Sequence, residues 1–363
     1  MKRMKQLVWI TFFASLIALL LTGCGTSTNT SSSTTSNASS TSSKQSYPTS
    51  ITVYMPKMYV DPEVLRDFEK EYNVRIILKE FESNEEMYDN VIKPNDFDIL
   101  VPSDYMIDQL IQEGLLALLD HRKITNMRYI DGDYLNLEFD SANAYHVPYM
   151  TGTVGILYNR RTLQISSWHD LFATKGFLML DSERDIIGIG LIASGNDMNS
   201  VGEKELNAAK EVLKDARQNA RGYYESEVIA DMIAAQEAFA GVVYSGDGKT
   251  ATDRISSLAY IVPEEGSNRW TDAFVIPIDS RHVDIAHDFI NFMCRPNIAI
   301  RNMTIYGYTS PVREAWGEFQ GDKIMFPSSE PGGDLDRCGV YRYSPEIVER
   351  HQKLWKEIRG GEK

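Results

Sequence analysis

Cysteine, histidine and positive charge are all scarce in this sequence. Its 363 residues include three Cys and six His, and 37 Lys and Arg face 51 Asp and Glu, a formal net charge of −14. Three cysteines exclude a disulfide-built scaffold. The histidines (His121, His146, His169, His282, His287 and His351) are scattered, with no H-E-x-x-H pair to hold a catalytic metal. The acidic balance argues against nucleic acid or an anionic lipid surface as the main partner, since both reward basic patches. It suits a cationic partner, although acidic surfaces also keep proteins soluble. Catalytic signatures are missing as well. The segment 241–250 superficially resembles a phosphate loop, but Val243 stands where its first glycine belongs. Ser245 lacks the flanking glycines of a nucleophile elbow. Asp185 and Asp247 could pair as a glycosidase acid and nucleophile, yet most carboxylates of an acidic chain are solvated. The sequence is not read as an enzyme, and no cofactor or metal is implied.

What is present begins with an address. Lys2, Arg3 and Lys5 precede an apolar run over 7–21, and L-T-G-C follows at 21–24. A basic start, a short apolar stretch and small residues at the cut predict a signal peptide over 1–23. Fifteen residues fall short of the roughly 20 that a spanning helix needs. The last four residues resemble the lipobox of bacterial lipoproteins, which implies lipidation of Cys24. Residues 25–46 contain 10 Ser and 6 Thr, too little apolar surface to fold, so 24–49 reads as a lipidated Cys and tether. No later stretch approaches 18 apolar residues. The membrane is therefore expected to hold the chain through its anchor alone.

The remainder, with 43% hydrophobic residues over the chain, can bury a substantial core, and its length suggests two lobes. Strands are expected near 51–54, 74–78, 99–101, 177–180 and 241–244, with another beginning near Trp270. Helices are expected from Pro62, capped by Asp61, over 84–91, from Asp104 to Gly114, and over 283–293. This alternation predicts an α/β fold with mainly parallel sheets. Ligands in such folds bind beyond the carboxyl ends of strands. The residues there are aromatic, hydroxyl-bearing and acidic, without the Arg/Lys clusters that hold phosphate or carboxylate ligands. Cys294 and Cys338 remain after lipidation, and an extracytoplasmic disulfide between them is left open.

At these same segments the chain resembles the spermidine/putrescine-binding proteins of bacterial ABC importers. The motifs are F-E-S-N-E-E-M-Y at 81–88, F-D-I-L-V-P-S-D-Y at 97–105, Y-H-V-P-Y at 145–149, S-W-H-D-L at 167–171, W-T-D-A at 270–273, N-F through R-P at 291–296 and Y-G-Y-T-S-P at 306–311. The resemblance implies a two-lobed type II periplasmic-binding-protein fold that closes on a ligand between lobes. It places crossovers near 145–151 and 273–277 and a return near 315. Lobe 1 would comprise 50–147 and 273–315, and lobe 2 148–272 and 316–363. Residue by residue it implies ligand contacts at Ser103 and Tyr105, an aromatic at the cleft mouth at Tyr59, and an amine-binding acid at Asp185. Tyr244 would stack on methylenes, Asp247 matches an acid of putrescine-type members, Trp270 and Asp272 are the central aromatic and carboxylate, and Tyr308 is a wall residue.

Elementary chemistry agrees with such a box, because ammonium groups need carboxylates and methylenes suit aromatic faces. Pro56 and Thr151 stand where the family carries aromatics, Ser182 replaces an acid of spermidine-type members, and Lys57 near the cleft must point away or pair with an acid. These departures favour a shorter diamine. The expected protein is a monomeric, lipid-anchored receptor on the extracytoplasmic face of a bacterial membrane. It would hand a polyamine to ABC permease subunits. The competing readings are another ligand on the same fold (a different amine, an amino-acid-like solute, or ferric ion at Tyr223 and Tyr224) and a sensor.

Overall fold

The computed structural model describes residues 47–318 and 334–360. The signal segment, Cys24 and the tether through 46 lie outside the described residues, as does part of the final segment. In chain order the strands are β1 (Ser50–Pro56), β2 (Arg75–Phe81), β3 (Ile99–Leu100), β4 (His146–Asn159), β5 (Phe177–Leu180), β6 (Ala220–Tyr224), β7 (Ala240–Tyr244), β8 (Leu258–Ile261), β9 (Ser267–Val275) and β10 (Cys338–Gly339). The helices are α1 (Pro62–Tyr72), α2 (Asn84–Val91), α3 (Asp104–Gln112), α4 (Trp168–Ala173), α5 (Glu183–Ala193), α6 (Glu203–Asn219), α7 (Ser226–Ala234), α8 (Ser245–Arg254), α9 (Val283–Met293), α10 (Pro296–Tyr306), α11 (Arg313–Glu318) and α12 (Pro345–Arg359). No helix among the described residues is long and apolar enough to cross a membrane.

The sheet runs in the order β2-β1-β3-β9-β4-β7-β5-β6, with β10 added on β9 and β8 on β4. Its flanking strands pair in parallel, β1 with β2 and β3, and β5 with β6 and β7. Every antiparallel pair involves β4 or β9, which lie against each other from His146–Val275 to Thr153–Arg269. The expected crossover segments thus fall at the start of β4 and the end of β9. One expectation is corrected: Trp270 does not begin a strand but sits in the middle of β9. The run Ser267–Val275 carries no alternation of polar and apolar residues, because it is buried almost throughout.

Local chemistry sets the helix starts. Asp61 accepts from the Glu63 N–H at 2.8 Å, with Pro62 in the first turn; Ser83 caps α2 and Ser182 caps α5. The amphipathic face of α1 buries Val64 and Phe68, and Phe68 meets Phe289 and Phe292 of α9 edge-on at 5.1 and 5.4 Å. Such contacts contribute about 0.5–1.5 kcal/mol each beyond area burial. The thiols of Cys294 and Cys338 are not joined, and burial pushes the Cys294 thiol up to about 12.

Candidate functional site

The carboxyl ends of β1, β3, β5 and β7 open on one cavity of about 480 Å³. Its wall contains Tyr59, Ser103, Tyr105, Asp185, Tyr244, Asp247, Trp270, Asp272 and Tyr308. Five helices begin here, α2, α3, α5, α7 and α8, and each carries an acid in its first turn, among them Asp104 in α3, Asp185 in α5 and Asp247 in α8. Helix N-termini favour carboxylates, so these positions concentrate negative charge without attracting anions.

Asp272 is the most enclosed of the expected carboxylates that lacks a full set of partners. One oxygen, Oδ2, accepts from the Tyr59 hydroxyl at 2.5 Å, while Oδ1 is buried with no hydrogen-bond partner. Burial pushes this carboxyl up to about 6, against the pull of the Ser103 and Tyr59 hydroxyls. Ser103 is itself oriented by Asn84, whose Nδ2 donates to its hydroxyl at 2.9 Å. Asp104 is pushed up to about 7, first by burial, although its carboxylate accepts from the Tyr105 and Thr271 backbone N–H groups.

The second carboxylate, Asp185, accepts from Ser182 at 2.7 Å and from the Tyr244 hydroxyl at 2.8 Å. Asp247 accepts from Ser226 and, at 3.5 Å, from Tyr308, and burial raises its pKa. Aromatic rings join these acids. Trp270 meets Tyr244 at 6.2 Å and Tyr308 at 5.4 Å, and Tyr308 meets Tyr59 at 5.8 Å, all edge-on. Two glycines make room for the rings. A Cβ on Gly152 would lie 2.4 Å from Trp270 Cζ2, and one on Gly246 would lie 2.4 Å from Tyr308 Cε1.

The structure departs from expectation at two points, Tyr59 and the cations of the wall. Tyr59 is buried in the wall beside Tyr149 rather than standing at the mouth. Lys57 borders the cavity and, as expected, pairs with an acid, Glu82 at 2.7 Å, both side chains being exposed. The wall also carries two further cations, Arg184 and Arg254, where none was expected. Arg184 lies 3.1 Å above the Tyr105 ring and pairs with Glu85 at 2.6 Å, joining α5 to the α2–α3 region. Tyr223 and Tyr224 are not on the wall; Tyr223 packs edge-on against Trp355 under Arg359.

Residues 63–326, well over half of the chain, match the family of bacterial extracellular solute-binding proteins. The chain belongs to that family. It is a family of solute-binding proteins rather than enzymes. A spermidine/putrescine-binding periplasmic protein of Salmonella typhimurium is 31% identical over 284 residues, covering 75% of this chain and 81% of its own length. The putrescine-binding periplasmic protein SpuD of Pseudomonas aeruginosa is 27% identical, covering 85% and 91%. Among solved structures, the spermidine/putrescine ABC transporter substrate-binding protein PotD of Streptococcus pneumoniae superposes with a TM-score of 0.76 at 29% identity. The match covers 87% of this chain and all of PotD. The fold is thus the two-lobed, type II periplasmic-binding-protein architecture. Within this cavity the motifs did not point to Asn268, Arg184 or Tyr341. Asn268 stands two residues before Trp270 in a strand whose near-complete burial removes the polar–apolar alternation that would have revealed it. Tyr341 follows a two-residue strand that carries no pattern.

Proposed function

We propose that this chain captures a polyamine in the cavity and delivers it to an ABC permease. The observation that carries this reading is the unpartnered, buried Asp272 Oδ1, set in an aromatic box whose wall also carries Asp185 and Asp247. A buried acceptor without a donor costs about 1–3 kcal/mol. An ammonium supplies that donor, the rings cover the methylenes, and cation–π contacts add about 0.5–2 kcal/mol each. An ammonium cannot accept the Trp270 N–H, which also lacks a partner; that donor requires water beside the ligand.

The mechanism follows from the same cost. Residues 50–147 with 273–315 and residues 148–272 with 316–363 act as two lobes. Ser103, Tyr59 and Tyr308 come from one, Asp185, Tyr244, Asp247, Trp270 and Asp272 from the other. Closure without ligand isolates Asp272 from solvent; closure on an ammonium pairs it. The ligand thereby stabilises the closed form by its differential affinity. The reading includes cleavage of a signal peptide over 1–23, lipidation of Cys24, a monomeric state on the extracytoplasmic face and no enzymatic step.

The test is a thermal-shift screen, followed by calorimetry, with putrescine, spermidine, cadaverine, agmatine and amino acids. Polyamines should raise the melting temperature, because a ligand of the native state stabilises it by mass action. Stabilisation by amino acids alone, or by no amine, would overturn the reading. For the anchor, Cys24→Ser should release the protein from cells into the medium.

A further inference from the structure

We propose that Asn268 is a further ligand-binding residue, one that holds the third nitrogen of a linear triamine and so sets chain-length preference. The inference rests on the polyamine reading and concerns the same cavity. Side chains alternate across a strand, so Asn268, Trp270 and Asp272 of β9 share a face, and all three line the cavity whereas Arg269 and Thr271 do not. They are 4%, 8% and 6% exposed. Asn268 Oδ1 and Asp272 Oδ1 are both buried acceptors without a hydrogen-bond partner. The row therefore consists of an acceptor, an indole and a second acceptor.

Spacing decides which ligand uses both. Four residues of strand separate the two acceptors by about 13 Å, and strand side chains stand roughly perpendicular to the sheet. A chain lying over the row must carry donors about that far apart. With bonds near 1.5 Å and tetrahedral angles, an extended diamine such as putrescine spans about 6 Å between nitrogens and a triamine such as spermidine about 11 Å. The diamine reaches Asp272 but not Asn268; the triamine reaches both, with its methylenes over Trp270. Ser182 offers no alternative acid, since its hydroxyl is committed to Asp185. Asn268 thus reverses the preference for a shorter diamine that the departures at Pro56, Thr151, Ser182 and Lys57 suggest together.

The experiment compares calorimetric affinities of the folded chain for putrescine and spermidine. In Asn268→Ala the ratio of spermidine to putrescine affinity should fall about tenfold. In Asn268→Asp, which keeps the side-chain shape and adds charge, that ratio should rise at least threefold. A ratio unmoved in Asn268→Ala, or equal loss of both ligands, would make the residue structural and overturn the inference. Should Asn268→Ala fail to fold, Asn268→Asp decides alone, and an unchanged or lower ratio there overturns the inference. If the unaltered protein binds neither amine, the polyamine reading itself falls; binding of both with no ratio change removes only the role of Asn268.

Discussion

Buried carboxylates set how this cavity responds to pH, and Asp272 is the one with an oxygen left without a donor. Asp272 must be ionised to meet an ammonium, yet burial holds its pKa at about 6. Polyamine affinity should be level above pH 7 and weaken below 6, approaching tenfold per pH unit for one linked proton. Stability without ligand has the opposite sign. Asp272 and Asp104 titrate at about 6 and 7 in the folded chain, above the unfolded value near 4. The folded state therefore holds more protons in that window, and stability should decline as pH rises from about 4 to 7. Asp272→Asn should cost binding about 1.5–3 kcal/mol, the size of a charge-assisted hydrogen bond, and should flatten the acid limb of the affinity profile. Calorimetry across pH 5–8 checks both; unchanged affinity in the variant would remove Asp272 from the site.

Among elements, β4 and β9 position the aromatic wall, and they do so by leaving space. Gly152 on β4 lies opposite Trp270 in the antiparallel register, and the indole covers the place where a Cβ would stand. Gly152→Ala should push the ring into the cavity, lowering polyamine affinity by tenfold or more while far-UV circular dichroism stays unchanged. Undiminished affinity would show that the indole can shift away from the ligand. The neighbouring helices were the most legible elements. The bounds of α2 and α9 follow directly from Asn84 to Val91 and Val283 to Met293, because the Ser83 cap marks the first and a periodic apolar face the second. The strand β9 was less legible, since a strand buried on both faces loses the alternation that would have marked its start and revealed Asn268.

Across the whole molecule, Arg184 ties the region after β5 to that after β3, stacking on Tyr105 and pairing with Glu85. Its charge is unfavourable for a cationic ligand but favourable for the closed arrangement. Arg184→Ala should therefore leave the association rate equal or faster and raise the dissociation rate about tenfold. Stopped-flow fluorescence from Trp270 resolves the two rates. A slower association with unchanged dissociation would contradict the role of Arg184 as a tie between lobes.

The sequence by itself determined the fold class, the acidic character and the choice of chemistry, because helix caps, strand ends and motif residues are local facts. Six of the nine expected site residues reached the cavity for that reason, at carboxyl ends of strands that a parallel arrangement brings together, whereas Trp270 and Asp272 lie within β9 and Tyr308 follows α10. Only the tertiary structure decided which carboxylate oxygen is left without a donor, that Arg184 reaches across to Glu85, and that Asn268 shares a face with Asp272. Those outcomes depend on burial and register between distant segments, and neither is encoded in any short stretch of chain.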